Sequence, residues 1–256
     1  MMLNRTDIFS IKHFDDASKI FGNKVDIKGG VQYFIKDYNY SGLCKYNGNN
    51  IQLNKYDVFI DSKYYSIIDK ISQYDSITPL YLGRYFGIES NDKKLTDNDN
   101  FVKCYVSKQK GFVKYVDPKY ITKDYNFWKV ITTEASHEHR SGFGNMFIGD
   151  NKAIYTGSYI SFKIKNENEA KSLLSYLKCK FPNFLLSLRK NSQHTNEDTC
   201  KWIPQPPLTK IWTDDELYKY YKLSDNEINL IKEIKITGYN DLIKSDDTCS
   251  DSELED

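Results

Sequence analysis

Long apolar runs are missing from this chain: no stretch approaches the ~18 consecutive apolar residues that a membrane span requires. The polar opening MMLNRTD also lacks the apolar core of a signal peptide. A membrane protein is therefore excluded and a cytoplasmic location is expected. Cysteine is sparse and unpatterned: Cys44, Cys104, Cys179, Cys200 and Cys249 are odd in number and widely spaced, with no CxxC pair and no Cys/His cluster at zinc-ligand spacing. That excludes a disulfide framework and a zinc finger, and reduced thiols are expected. Only 6 prolines and 3 methionines stand beside abundant Lys, Asn, Tyr and Ile. This is the drift of an AT-rich genome, so a single lysine or tyrosine carries little functional weight. No GxSxG elbow is present, and no Ser-His-Asp arrangement stands out.

What is present suits a folded protein. The 256 residues, 39% of them hydrophobic, suffice for one large domain or two small ones with a real core. The net charge of +1 conceals an uneven distribution, because the last eleven residues, DDTCSDSELED, hold six acids and no base. Without them the body carries 36 basic against 29 acidic residues, a balance of +7 that attracts phosphates through counterion release. The tail is too acidic and too poor in apolar residues to pack, so disorder is expected there, with DNA mimicry or partner binding as the alternative role.

The pattern along the chain is α+β. Residues 6–21 pass from a strand-like run into a short helix around Asp16 to Phe21. A Gly29-Gly30 step feeds the apolar-rich run Val31 to Ile35, a turn-prone Asp-Tyr-Asn-Tyr-Ser-Gly follows, and Leu43 to Tyr46 is strand-like, which together read as a hairpin. Ile67, Ile68 and Ile71 share one face of a predicted helix over 67–74. After the polar loop ESNDKKLTDNDN, the alternating runs Phe101 to Val106 and Gly111 to Val116 read as paired strands, and Phe127 to Thr132 and Ser158 to Ile164 as further strands. A Gly/Ser-rich loop occupies 135–145. Asn166 caps a predicted long helix with Glu167 and Glu169 in its first turn and Ala170, Leu173, Leu174 and Leu177 on one face. Phe181, Phe184, Leu185 and Leu188 continue the apolar face around Pro182, where a new helix can begin. WIPQPPL is extended, and capping-box signatures at Thr213 and Ser224 with Glu227 open two short helices.

Three blocks carry a family likeness: HFDDASKIF with VDIKGGVQYFIKDYNYSG near the start, SLLSYLKCKFPNFLLSLRKNSQH in the second half, and WIPQPPLTKIWTDDELYKYYKLSDNEINLIKEI near the end. In wording, order and separation they bracket nearly all of residues 7–236. The chain resembles the adenine-N6 DNA methyltransferases of type II restriction-modification systems, in the part that follows their catalytic motif. It also resembles type I restriction specificity subunits, whose recognition domains end in a similar Ile-Pro-x-Pro-Pro-Leu run. The resemblance implies the end of a methylase-like domain over 1–46 as a short β-rich remnant. A DNA target recognition domain with a mixed sheet and packed helices then spans 47–208, followed by C-terminal helices over 209–240 and an acidic disordered tail over 241–256. It implies duplex DNA as the partner.

The departures limit the activity. Adenine-N6 methyltransferases use an Asn/Asp-Pro-Pro-Tyr/Phe motif to hold and stack the flipped base, and the chain has none. Nor does it offer the strand, Gly-rich turn and downstream acid that cradle S-adenosylmethionine. Alone it is not expected to methylate DNA. S-adenosylmethionine belongs in a catalytic partner, a methyltransferase or nuclease subunit, with which the chain would form an adenine-N6 DNA methyltransferase. Two rivals stand beside this reading. A restriction endonuclease sharing the recognition domain would need a PD…(D/E)xK set around a metal, which the sequence does not supply convincingly. A degenerate remnant or interaction protein would fold without DNA affinity.

Candidate DNA contacts follow from chemistry. The loop EASHEHRSGFGN combines glycines with His137, His139, Arg140 and Asn145, all able to reach base edges or phosphates, against the alternative of an ordinary solvent loop. His137 and His139 straddle Glu138 without a third ligand, so no metal is expected. In LRKNSQH, Arg189, Lys190, Ser192, Gln193 and His194 cluster at the end of an apolar helix. Arg suits guanine O6 and N7, Gln suits adenine N6 and N7, and Lys suits phosphate, whereas a basic cap to the helix dipole is the competing account. Lys108, Lys110 and Lys114 surround a turn at Gly111 with Phe112 and Tyr115 interleaved, a hairpin able to follow a backbone. Arg140, Arg189, Lys190, Gln193 and His194 are the principal expected readers. Gly29 and Gly30 are read as permitting close backbone approach, and Trp128, Trp202 and Trp212 as core anchors.

Overall fold

The computed structural model describes residues 2–14, 17–22, 31–135 and 141–244, which form an α+β fold. Gly29-Gly30, the centre of the Gly/Ser loop and residues 245–256 of the acidic tail lie outside the described residues, whereas 241–244, expected as the start of that disordered tail, are helical and bury Leu242. No helix among the described residues is long and apolar enough to cross a membrane. The chain divides into two compact units, Met1–Tyr65 and Ser66–Asp256.

The first unit is a four-stranded sheet of β1 (Ile8–Phe14), β2 (Val31–Lys36), β3 (Cys44–Tyr46) and β4 (Asn49–Ile51), ordered β2-β1-β3-β4, with the short helix α1 (Ser18–Phe21) after β1. The expected hairpin between 31–35 and 43–46 does not form. β1 lies between them, antiparallel to β2 and parallel to β3. The connection over 37–43 is longer than the two to five residues usual for a hairpin. It crosses the start of β1 instead, held by Asp37 N donating to Asp7 O at 3.0 Å and Gly42 N donating to Thr6 O at 3.3 Å. The tight hairpin is β3–β4, turned by Asn47 and Gly48 at φ 44° and 97°, both in the left-handed region that this two-residue turn demands. Ile8, Ile11, Cys44, Tyr46, Ile51 and Leu53 form the buried core of this unit.

In the second unit α2 (Tyr65–Ile71) buries Ile67, Ile68 and Ile71, as their spacing predicts. Eight strands follow: β5 (Tyr81–Leu82), β6 (Leu95–Thr96), β7 (Val102–Tyr105), β8 (Val113–Val116), β9 (Trp128–Thr133), β10 (Met146–Gly149), β11 (Ile154–Tyr155) and β12 (Tyr159–Ile164). They form two sheets, β10-β9-β12-β5 and β11-β7-β8-β6. The expected β7–β8 pairing is present. The polar segment before it is not wholly loop, since Leu95 and Thr96 pair with Val116 and Tyr115 of β8. β10 follows directly on the Gly/Ser-rich loop, in a stretch to which the sequence pattern assigns no element.

The two sheets share an aromatic core. Phe147 of β10 lies 4.8 Å from Tyr105 of β7 and 5.5 Å from Phe112, ring centre to ring centre, and Tyr159 Oη donates to Val106 O at 3.0 Å. Burying aromatics edge to face adds specific geometry to a large apolar contribution. The opposite side of the first sheet is covered by α3 (Glu167–Lys178), capped by Asn166 accepting from Glu169 N, with Ala170, Leu173, Leu174 and Leu177 buried.

After α3 the chain restarts at Lys180 as α4 (Lys180–Arg189), with Pro182 in its first turn, where a missing N–H costs nothing. Its cap is remote: the Asp214 carboxylate accepts from Lys180 N and Phe181 N, both at 2.9 Å. Burial raises the Asp214 carboxyl above its ordinary value despite these bonds. α5 (Glu197–Cys200), α6 (Asp214–Tyr220), α7 (Asp225–Glu233) and α8 (Tyr239–Lys244) complete the unit, and both predicted capping boxes are present. Lys70 reaches from α2 to Glu227 of α7 at 2.5 Å.

Of the three tryptophans expected as core anchors, Trp212 is buried, whereas Trp128 and Trp202 are only half-buried. Cys44, Cys104, Cys179 and Cys200 are buried free thiols, and burial pushes Cys104 and Cys200 up to about 12.

Candidate nucleic-acid interface

The site is built where α4 ends. Arg189, in its last turn, points inward: its side chain is 1% exposed, Nε donates to Asp198 O at 2.8 Å, one terminal nitrogen lies 3.3 Å from Asp198 Oδ2, and the guanidinium stacks 4.7 Å over the Trp202 ring. A bond from Lys201, and the nearby Arg189 charge, hold the Asp198 carboxyl below its ordinary value. Arg189 thus fastens α5 to α4. The next residue, Lys190, is also buried and donates from Nζ to Gly142 O at 2.9 Å. Asn191, Ser192 and Gln193 are exposed, and His194 is half-buried.

From His194 the chain lies against the end of β9. Thr195 N donates to Glu134 O at 2.8 Å, and Ala135 and His194 form an antiparallel bridge. His194 Nδ1 is 2.9 Å from Glu134 Oε1, while the other carboxylate oxygen faces Arg84 at 3.8 Å. With a carboxylate as its partner, Nδ1 is the donor of this bond, and Nε2 is the ring's second polar atom. Gln193 Nε2 lies 3.5 Å from that Nε2.

The far end of the Gly/Ser-rich loop is seated beside the same segment. Phe143 N donates to Asn183 Oδ1 at 2.9 Å, Thr132 Oγ1 donates to Gly144 O at 3.2 Å, and Thr237 N donates to Ser141 Oγ at 3.0 Å. A Cβ at Gly144 would lie 1.9 Å from Thr133 Oγ1, so only glycine fits this approach. Asn145, half-buried, follows this seat directly and leads into β10. His137, His139 and Arg140 lie outside the described residues; of the described residues flanking them, Ala135 bridges His194, and Ser141 is bonded to Thr237.

The lysine hairpin connects to the same place through a polar chain. Ser107 N donates to Ser90 Oγ at 3.2 Å, Ser90 Oγ lies 2.9 Å from Ser158 Oγ, and Glu134 N donates to Ser158 O at 2.9 Å. Lys108 and Lys110 sit exposed on the turn closed by Gly111 at φ 90°. Lys114 is directed elsewhere, to Asp97 at 2.5 Å, and Phe112 turns into the aromatic core.

The fold therefore sets His194, which follows Ser192 and Gln193, against Glu134 and Ala135, and fastens Gly142, three residues before Asn145, to Lys190, with the Lys108–Lys110 turn bonded to the same framework. Arg189 and Lys190 underlie that surface. Arg84, Ser90 and Glu134 belong to it although the sequence does not single them out, because their roles arise from contacts fifty or more residues away. Among the described residues no group of three or more His, Cys, Asp or Glu could hold a metal.

No protein-family model and no curated protein matches the chain. Among solved structures it is similar to the type IIG restriction endonuclease BpuSI, at 12% identity and TM-score 0.39 over 92% of this chain and 40% of that one. It is also similar to the type IIL restriction-modification enzyme MmeI in complex with DNA, at 11% identity and TM-score 0.35 over 76% of this chain and 34% of that one. The chain spans well under half the length of either protein.

Proposed function

We propose that this chain is the target recognition part of an adenine-N6 DNA methyltransferase of a restriction-modification system, reading a short duplex sequence without performing chemistry itself. One observation carries the reading: two polar segments separated by some fifty residues, the ends of the 134–145 loop and residues 190–195, are fastened to each other by Thr195 N to Glu134 O, His194 to Glu134, and Lys190 to Gly142. Residues able to address base edges thus stand on a rigid support, which direct readout demands.

Gln193, His194, Ser192 and Asn145 address bases or sugars, and Lys108 and Lys110 neutralise phosphates. His137, His139 and Arg140 are added as contacts on their side-chain chemistry alone. Arg189 and Lys190 position these groups and do not touch DNA, because their charges are spent inside the fold. Methyl transfer then requires a catalytic partner that binds S-adenosylmethionine and carries the base-holding motif absent here.

The test is retention of duplexes from a randomised library by the purified chain at two salt concentrations, followed by sequencing. Enrichment of one short motif, with affinity falling steeply as salt rises, is expected. Absence of retention at low salt, both alone and with a methyltransferase core, would overturn the proposal.

A further inference from the structure

The sheet of the first unit has two unlike faces. Register from Ser10 onward places Ile11 beside Phe34 and Tyr46, on the face of the buried Cys44, with Phe34 on the edge strand 51% exposed. The other face presents Ser10, Lys12 and Phe14 from β1, Val31, Tyr33 and Ile35 from β2, Lys45 from β3 and Asn50 from β4. Contacts between side chains agree, since the Phe14 and Tyr33 rings lie 6.3 Å apart at 37° and Lys12 Nζ sits 5.7 Å over Phe14. Much of this face is exposed: Tyr33 is 58% and Ile35 52% exposed, Lys12, Lys45 and Asn50 are exposed, and Ser10, Phe14 and Val31 are half-buried.

Its chemistry selects an occupant. Among the described strand residues of this face the charged groups are Lys12 and Lys45, both basic, and they stand beside Tyr33, 58% exposed, and the half-buried Phe14. Among the described residues neither lysine is joined to a carboxylate, and Lys12 rests over the Phe14 ring, so a protein partner would need acids set beside an apolar strip. A duplex keeps its base faces stacked inside and offers nothing for Phe14 and Tyr33 to stack on. An unpaired strand offers both phosphates for the lysines and free base faces for the rings, and sheets with exposed aromatics bind such strands in this way. We propose that the open face of the β2-β1-β3-β4 sheet binds single-stranded nucleic acid, with Tyr33 and Phe14 stacking on successive bases and Lys12 and Lys45 pairing with the backbone. This site is separate from the duplex-reading surface and does not rest on it.

The test is fluorescence anisotropy of a labelled oligothymidylate titrated with the full chain, with unlabelled duplex as competitor. Tyr33→Ala, on an exposed position, is expected to weaken binding roughly five-fold or more, the loss of one base stacked on a ring, while Tyr33→Trp keeps it. The pair Lys12→Ala with Lys45→Ala should lower the slope of log affinity against log salt by roughly 0.7 per lysine. Circular dichroism and thermal melting identify any variant that fails to fold, and the Tyr33→Trp comparison stands independently of the lysine pair. Oligothymidylate affinity unchanged in folded Tyr33→Ala and in the lysine pair would overturn the proposal. So would sedimentation of the wild-type chain as a dimer that Tyr33→Ala dissociates, with no oligothymidylate bound, which would assign the face to a second copy. Loss of duplex binding alone, through changes at Gln193 and His194, leaves oligothymidylate binding in place.

Discussion

Lys190 Nζ donates to Gly142 O across 48 residues of sequence, inside the protein, so a charge at the end of α4 fixes the seat of a loop. Replacing Lys190 by Met keeps the stem and removes the donor, leaving a buried carbonyl unpaired at a cost of about 1–3 kcal/mol. Urea unfolding should report that loss, and duplex retention should fall with it, because the 141–145 seat loosens. A Lys190→Met protein with wild-type stability and wild-type DNA binding would show that the bond positions nothing.

Gln193 sits three residues further on and behaves oppositely. It is exposed, so Gln193→Ala should change stability by less than about 0.5 kcal/mol. On the proposed reading the same change relaxes preference at one base position by about 1–3 kcal/mol. Library sequencing with Gln193→Ala and with His194→Ala checks this. Identical motifs recovered with wild type and both variants would remove these residues from the readout.

These two neighbours illustrate what a sequence conveys. Arg189, Lys190 and Gln193 are equivalent in composition as DNA readers, and only the placement of Asp198, Trp202 and Gly142 turns the first two inward. Local signals were legible: Asn166, Thr213 and Ser224 cap donors three residues ahead, and β7 and β8 pair across a short turn. Interactions between distant segments were not. The parallel alignment of β1 with β3 depends on where a seven-residue connection lands, and the α4 cap comes from Asp214, more than thirty residues away. Asn47-Gly48 is a local signal that finds β3–β4, and it goes unused when β2 is paired with β3.

Gly144 tests the loop seat from the other side. A methyl group there meets Thr133 Oγ1 at 1.9 Å and Thr133 Cβ at 3.2 Å, so Gly144→Ala should destabilise the protein by about 1–3 kcal/mol through overpacking. Thr133→Ala removes the hydroxyl and leaves the milder contact. The double variant is therefore expected to be more stable than Gly144→Ala alone, a coupling measured by a double-mutant cycle in urea. Additive losses would mean that the strain lies elsewhere.

Lys129 of β9 is fully buried, with Nζ donating to Asp150 O at 2.7 Å and Ala153 O at 2.9 Å. Burial lowers its pKa to about 8, partly opposed by Asp150 and Asp124. The folded chain therefore releases this proton above about pH 8, whereas an unfolded lysine holds it to about 10.4. Between those limits the unfolded state binds more protons, so this group makes stability rise with pH, by at most about 1.4 kcal/mol per unit. The buried thiols act in the opposite sense: Cys104 and Cys200, held up to about 12, stay protonated in the fold while unfolded thiols ionise, so their contribution falls as pH rises past about 8.5. The lysine term is isolated by comparison with Lys129→Met, which shares the thiols. Lys129→Met should be the less stable protein at pH 7.5, since two buried carbonyls lose their donor. The gap should widen between pH 8 and pH 10, because only the wild type gains from deprotonation. Urea unfolding of both proteins across that range measures it, and a gap independent of pH would mean that Lys129 keeps its proton throughout.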